Sequence, residues 1–250
     1  MALARTLTIA GTDVSGGAGI AADLKAFQEH ETYGFSVLTT VVSMEPSTWS
    51  HRVSPIPIKD VKDQLETALT LNPDVIKTGM LPSEEVVELS RDAFLNSNAK
   101  HFVVDPVMVC KGDDEVLNPG LVESMIENLI PHATVVTPNL VEAGHLAGVK
   151  TPRTLDEIKE AAKLIHAKGA NYVVVKGARA SKAIQLSTFF TMAVNFIFLN
   201  LRNSIPLLTT VPVVHLRHRL RLTWLMAKSL LRLFSSRRLS LPAQLKMAGR

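Results

Sequence analysis

Residues Thr8–Lys25 read TIAGTDVSGGAGIAADLK: a short apolar run, a glycine-rich turn carrying Asp13, then the opening of an amphipathic helix with Asp23 and Lys25. Gly16, Gly17 and Gly19 permit backbone angles and close approaches that a side chain forbids. A helix beginning near Ile20 turns its free N–H groups and the positive end of its dipole toward that turn, which suits an anionic or hydroxylated ligand. The stretch is not a dinucleotide fingerprint, because GxGxxG is absent, and not a Walker A loop, because GxxxxGK[ST] is absent. Taken alone, it serves equally well as a plain strand-to-helix connection in any α/β protein.

Working outward from it, strand-like and helix-like segments alternate as far as Gly177, which predicts a parallel sheet covered on both faces. Strands are expected at Leu7–Ala10, Ser36–Val42, Val75–Thr78, His101–Val104, Thr134–Thr137 and Tyr172–Lys176. Helices are expected at Gly19–His30, Ile58–Thr70, Ser83–Ser97, Gly120–Ile130, Val141–Leu146 and Thr154–Lys168. Ser83 followed by Glu84 and Glu85, and Thr154 with Glu157 three residues on, are helix-start signals.

In an open α/β sheet the ligand lies beyond the carboxyl ends of the strands. Asp105 before Pro106, Asn139 after Pro138 with Glu142 nearby, and Lys176 before Gly177 all fall there. Two carboxylates, an amide and an ammonium suit a metal ion and phosphates. The same residues also suit ordinary work, since short polar side chains end strands and cap helices and strand-end lysines are commonly solvated. The histidines show no metal-ligand spacing, and Cys110 reads as a small buried residue.

Composition divides the chain. All 23 acidic residues lie at or before Glu160, together with 12 of the 27 Lys and Arg, so the formal charge of +4 hides an acidic first part and a basic remainder. A nucleic-acid argument from overall charge is therefore misleading. A single cysteine excludes an internal disulfide framework, and the start MALARTLTIAGTD has no long apolar leader, so the cytoplasm is the expected compartment.

The strings TIAGTDVSGGAGIAADLKAF, VIKTGML, VVDPVMV, TPNLVEA and VVVKG, in this order, resemble the hydroxymethylpyrimidine and phosphomethylpyrimidine kinases of thiamine biosynthesis over Leu3 to Gly177. The resemblance implies an α/β, ribokinase-like three-layer sandwich with a mostly parallel central sheet. It also implies ATP, Mg2+ and phosphorylation of 4-amino-5-hydroxymethyl-2-methylpyrimidine and its monophosphate. By the same resemblance the pyrimidine sits at Gly11, Asp13, Gly16, Gly17 and Gly19, with Asp13 accepting from the ring amine. Asp105 and Glu142 hold the metal, Asn139 and Glu142 serve the nucleotide phosphates, and Lys176 stabilises the transferred charge. No nucleic-acid or membrane partner is expected, and a homodimer is left open.

Three departures from the family pattern stand out. Thr39–Pro46 reads TTVVSMEP, with Met44 where the family carries a glutamine that pairs with the pyrimidine edge. Losing a bidentate amide costs discrimination on the order of a few kcal/mol. The family's VKGGH has become VKGARA from Val175 to Ala180. Its GTGC string, which forms a backbone anion hole over the transferred phosphoryl group, is missing, and residues 178–248 contain no glycine from which to build one.

Residues 178–250 have no acid and a single glycine, and are expected to be unlike the family. Leu216–Leu233 can be drawn as a basic amphipathic helix. Translation out of frame is the simpler account. His215–Arg221, HLRHRLR, can be written CAC CTA CGG CAC CGG CTG CGC, and read one base later the same bases give Thr-Tyr-Gly-Thr-Gly-Cys, the missing string. Two other readings stay beside the pyrimidine kinase: a pyridoxal-type kinase, to which Met44 points, and a non-catalytic pyrimidine-binding protein.

Overall fold

A computed structural model describes residues 3–48, 50–108 and 119–176, and the backbone of two further strands, Ser187–Met192 and Asn195–Asn200. Cys110, Gly177 and the shifted-frame string at His215–Arg221 lie outside the described residues, as does the tail apart from those two strands.

The chain runs β1 (Arg5–Asp13), α1 (Gly19–Glu29), β2 (Tyr33–Met44), β3 (His51–Pro55), α2 (Ile58–Leu69), β4 (Val75–Thr78), α3 (Glu84–Leu95), β5 (His101–Val104), α4 (Pro119–Asn128), a 3-10 turn at Ile130–His132, β6 (Val135–Val136), α5 (Leu140–Ala147), α6 (Leu155–Ala167), β7 (Tyr172–Lys176), β8 (Ser187–Met192) and β9 (Asn195–Asn200). One sheet holds them in the order β3-β2-β1-β4-β5-β6-β7-β8-β9. From β2 to β7 every neighbouring pair is parallel. The edges at β3, β8 and β9 are antiparallel.

Parallel strands covered on both sides carry near-continuous apolar runs, and all four residues of β4 are buried. Alternation along the strands sorts the two faces. Leu7, Ile9, Ile76, Phe102, Val104, Val136, Val173 and Val175 join one large core with residues of α2 to α6, such as Leu65, Val87, Met125, Leu146 and Ile158. Thr8 and Lys77 stand opposite each other in register on the other face, which α1 covers. The helices start where local signals place them. Ser83 accepts from the Val86 amide, and Asn139 with Glu142 and Thr154 with Glu157 form complete capping boxes. Helix α1 has no side-chain cap.

The six expected helices and six expected strands are all present, and three strands match their expected bounds. The sheet also continues past β7 through β8 and β9, beyond the point where the sequence departs from the family string, and it gains β3, which the sequence reading missed. Among the described residues no helix is long and apolar enough to cross a membrane.

Candidate active site at the carboxyl edge of the sheet

The end of β1 is shaped for close backbone approach. The β1–β2 register slips between Ala10 and Thr12, a bulge that sets Thr39 and Thr40 of β2 against Gly11, where an added Cβ would lie 3.2 Å from the Thr40 carbonyl oxygen. The chain then turns back on itself. The Gly16 amide donates to the Asp13 carbonyl at 2.8 Å, and Gly19 bridges Thr12. Gly16 and Gly19 have φ of +66° and +61°, and a Cβ on Gly19 would sit 2.2 Å from the Gly11 carbonyl oxygen. Only glycine fits there.

Within this turn Asp13 does structural work. Its Oδ1 accepts from the Ser15 amide and its Oδ2 from the Ser15 hydroxyl, both at 2.8 Å, while the Ser15 hydroxyl accepts from the Gly17 amide at 3.2 Å. Lys25 reaches back along α1 to the Gly16 carbonyl at 3.4 Å. The uncapped first turn of α1 therefore follows directly on a hydrogen-bonded polar turn.

The second station lies on β5, β6 and β7. Lys176 Nζ donates to Asp105 Oδ1 at 2.6 Å, and both side chains are about four-fifths buried, at 23% and 21% exposure. Thr137, just past β6, donates its hydroxyl to the same oxygen at 3.2 Å. The Lys176 amide donates to the Pro138 carbonyl, and Asn139 bridges Lys176, which sets the start of α5 beside the end of β7. There Asn139 Oδ1 accepts from the Glu142 amide at 2.9 Å and Glu142 Oε2 accepts from the Asn139 amide at 2.7 Å. Capping occupies one oxygen of each side chain, and Glu142 is 3% exposed.

Asp105, Thr137, Asn139, Glu142 and Lys176 thus form one group, and Gly11, Asp13, Ser15, Gly16, Gly17 and Gly19 another. Only β4 lies between β1 and β5, so the two stations begin about 10 Å apart on one edge. Met44 lies at the end of β2 opposite His51 on the β2–β3 hairpin, two residues past Val42, the register partner of Asp13. Ser15 and Thr137 were not singled out by sequence. Ser and Thr are too common to signal a role, though Ser15 two residues after Asp13 is the spacing of a side-chain turn.

Among the described residues, no three His, Cys, Asp or Glu side chains group to hold a metal unaided. Mg2+ needs less, since one or two carboxylates with phosphate oxygens and water complete its shell. Asp105 and Glu142 offer the hard oxygens it takes. With Asp13 they also place three carboxylates beside Lys25 and Lys176 on one edge of the sheet, an excess of like charge that a divalent cation would relieve.

A mostly parallel sheet with a glycine turn at the end of β1 and a carboxylate–lysine pair at the ends of β5 and β7 is a ribokinase-like architecture. The pyridoxal kinase from Staphylococcus aureus, solved in complex with ADP, matches with a TM-score of 0.75 and 50% identity over 78% of this chain and 71% of that one. A putative pyridoxine kinase of Staphylococcus aureus is 56% identical over 180 residues, 72% of this chain and 65% of its own length. The hydroxymethylpyrimidine/phosphomethylpyrimidine kinase of Bacillus subtilis is 38% identical over 178 residues, 71% of this chain and 65% of its own. The family model for phosphomethylpyrimidine kinase matches residues 13–202. The chain belongs to that family, and the matched region spans just under two thirds of these curated relatives.

One expectation is adjusted. The family holds, but relatives bearing the pyridoxine kinase name match at higher identity than the pyrimidine kinase does. The family match also runs past Gly177 to residue 202.

Proposed function

We propose that this chain derives from an ATP-dependent kinase of the pyridoxal type, which moves a phosphoryl group from nucleotide to the hydroxymethyl group of a pyridine ring. Met44 carries the reading. At the residue where the pyrimidine kinases resemble one another in carrying a glutamine, a thioether stands at the hairpin beside the glycine turn, and it can neither donate to nor accept strongly from a ring edge. The higher identity to pyridoxine kinases, and the ADP held by the Staphylococcus aureus pyridoxal kinase, support the same substrate and nucleotide class.

In this reading the glycine turn and the open N–H groups of α1 receive the polar side of the ring, and Asp13 keeps the turn in shape through Ser15. Lys176 leaves Asp105 to meet the phosphates and spreads its charge over oxygens that gain negative charge in the transition state. Asp105 and Glu142 hold Mg2+, which when bound neutralises phosphate charge. Asn139 keeps its amide NH2 available to a phosphate oxygen while its carbonyl caps α5.

Titration calorimetry of the full chain with pyridoxal and with the hydroxymethylpyrimidine tests the proposal. Pyridoxal is expected to bind about tenfold tighter, and Met44→Gln to narrow or invert the ratio by a similar factor, the worth of one or two hydrogen bonds. Preference of the unaltered chain for the pyrimidine overturns it.

A further inference from the structure

On the α1 face of the sheet a buried ionic network joins three elements. Asp23, one turn into α1, accepts through Oδ2 from the Thr8 hydroxyl at 2.7 Å and from Lys77 Nζ at 2.5 Å. Asp23 and Lys77 are 8% and 7% exposed. Lys77 is the charged member of an otherwise uncharged, fully buried strand, VIKT. A buried ion pair is weak evidence for stability, because apolar residues of similar volume commonly do as well. Its directionality is what hydrocarbon cannot supply, since it permits one placement of α1 along β1 and β4.

That placement matters one helical turn away. Asp23 and Gly19 lie four residues apart on the same face of α1, and Gly19 has no slack against Gly11. On the strand side, a Cβ at Gly79 would lie 3.5 Å from Lys77 Nζ and 2.8 Å from the Ala10 Cβ, so the ammonium sits just under the carboxyl edge between β1 and β4. Helices α3, α5 and α6 are fixed at their starts by side-chain caps and α1 is not. We propose that Asp23 and Lys77, with Thr8, are positioning residues that set the glycine turn for the ring substrate, a role assigned to none of them by the phosphate chemistry at Asp105 and Lys176. The proposal rests on the reading of that turn as the ring site.

The test compares the full chain with Asp23→Asn, Lys77→Met and the apolar double variant Asp23→Leu/Lys77→Met. Calorimetry with pyridoxal and with ADP, hydrogen exchange of the Gly16–Ile20 amides, and thermal unfolding are read on each. The expected result is a loss of about tenfold or more in pyridoxal affinity, ADP affinity within about twofold, and turn amides that exchange about tenfold faster while those of β5 are unchanged. The double variant regains the melting temperature without regaining the turn. A double variant with wild-type exchange at the turn overturns the proposal, as does an equal loss of pyridoxal and ADP binding. Should the unaltered chain bind no ring compound while the turn still loosens in the variants, the functional reading fails and the positioning role stands.

Discussion

Gly19 is the residue at which the backbone of the glycine turn has least room. Alanine there meets a left-handed φ of +61° and a carbonyl oxygen 2.2 Å from its Cβ. The φ alone costs about 1–2 kcal/mol, and the clash forces the turn off β1. Gly148, the C-cap of α5, has φ of +73° with nothing within 4 Å of an added Cβ, so it isolates the φ term. Gly148→Ala is expected to lose about 1 kcal/mol in denaturant melts with pyridoxal binding intact, and Gly19→Ala to lose more and to abolish binding. Equal ligand affinity in the two variants contradicts the assignment of the turn. Lys176→Met leaves Asp105 four-fifths buried with Thr137 in place of an ammonium, and is expected to weaken ADP binding about tenfold while leaving pyridoxal near its original affinity, as calorimetry would show. At this scale Gly16 and Gly19 were legible because each takes a left-handed φ that other residues rarely adopt. Asp13 was legible as a residue of the turn, but a carboxylate two residues before a serine reads the same in sequence whether it serves a ligand, the turn or both.

Among the elements, those legible in sequence announce themselves locally. Ser83 and Thr154 carry their caps within four residues, and β4, β5 and β7 are apolar runs between turns. Strand β3, HRVSP, hides because its apolar content is low and its pairing with β2 is set by the hairpin: it is an exposed edge blunted by Pro55 and by the Arg52–Glu45 ion pair. The first residue of β5 adds a pH dependence. Burial, with Lys100 adjacent, holds the His101 imidazole below its ordinary 6.5. The unfolded chain then takes up this proton at higher pH than the native one, so the stability His101 contributes is complete above pH 6.5 and is lost as pH falls through the native value. Thermal melts between pH 8 and 5 are expected to fall through this window, and His101→Gln to flatten that part of the curve. An unchanged slope in the variant assigns the pH dependence elsewhere.

Over the whole molecule, the charge boundary at Glu160 and the loss of glycine after Gly177 mark a change in kind that no fold requires. The family match reaches residue 202, yet the GTGC string is absent from the chain as written, and it returns only when HLRHRLR is written with the codons chosen above and read one base later. The two stations at the carboxyl edge are assembled from residues before Gly177, so binding and transfer separate. We expect the full chain to bind pyridoxal and ADP but to transfer phosphate slowly, because removing oxyanion donors alone costs ~10²–10³ in rate. Replacing residues 178–250 by the same bases read in the family frame is expected to restore that factor in kcat while changing the dissociation constants far less. Single-turnover measurements on the two proteins decide it. Equal rates would mean that Lys176 and the metal site suffice without that string, and coding DNA that yields no family string in any phase would remove the frame argument itself.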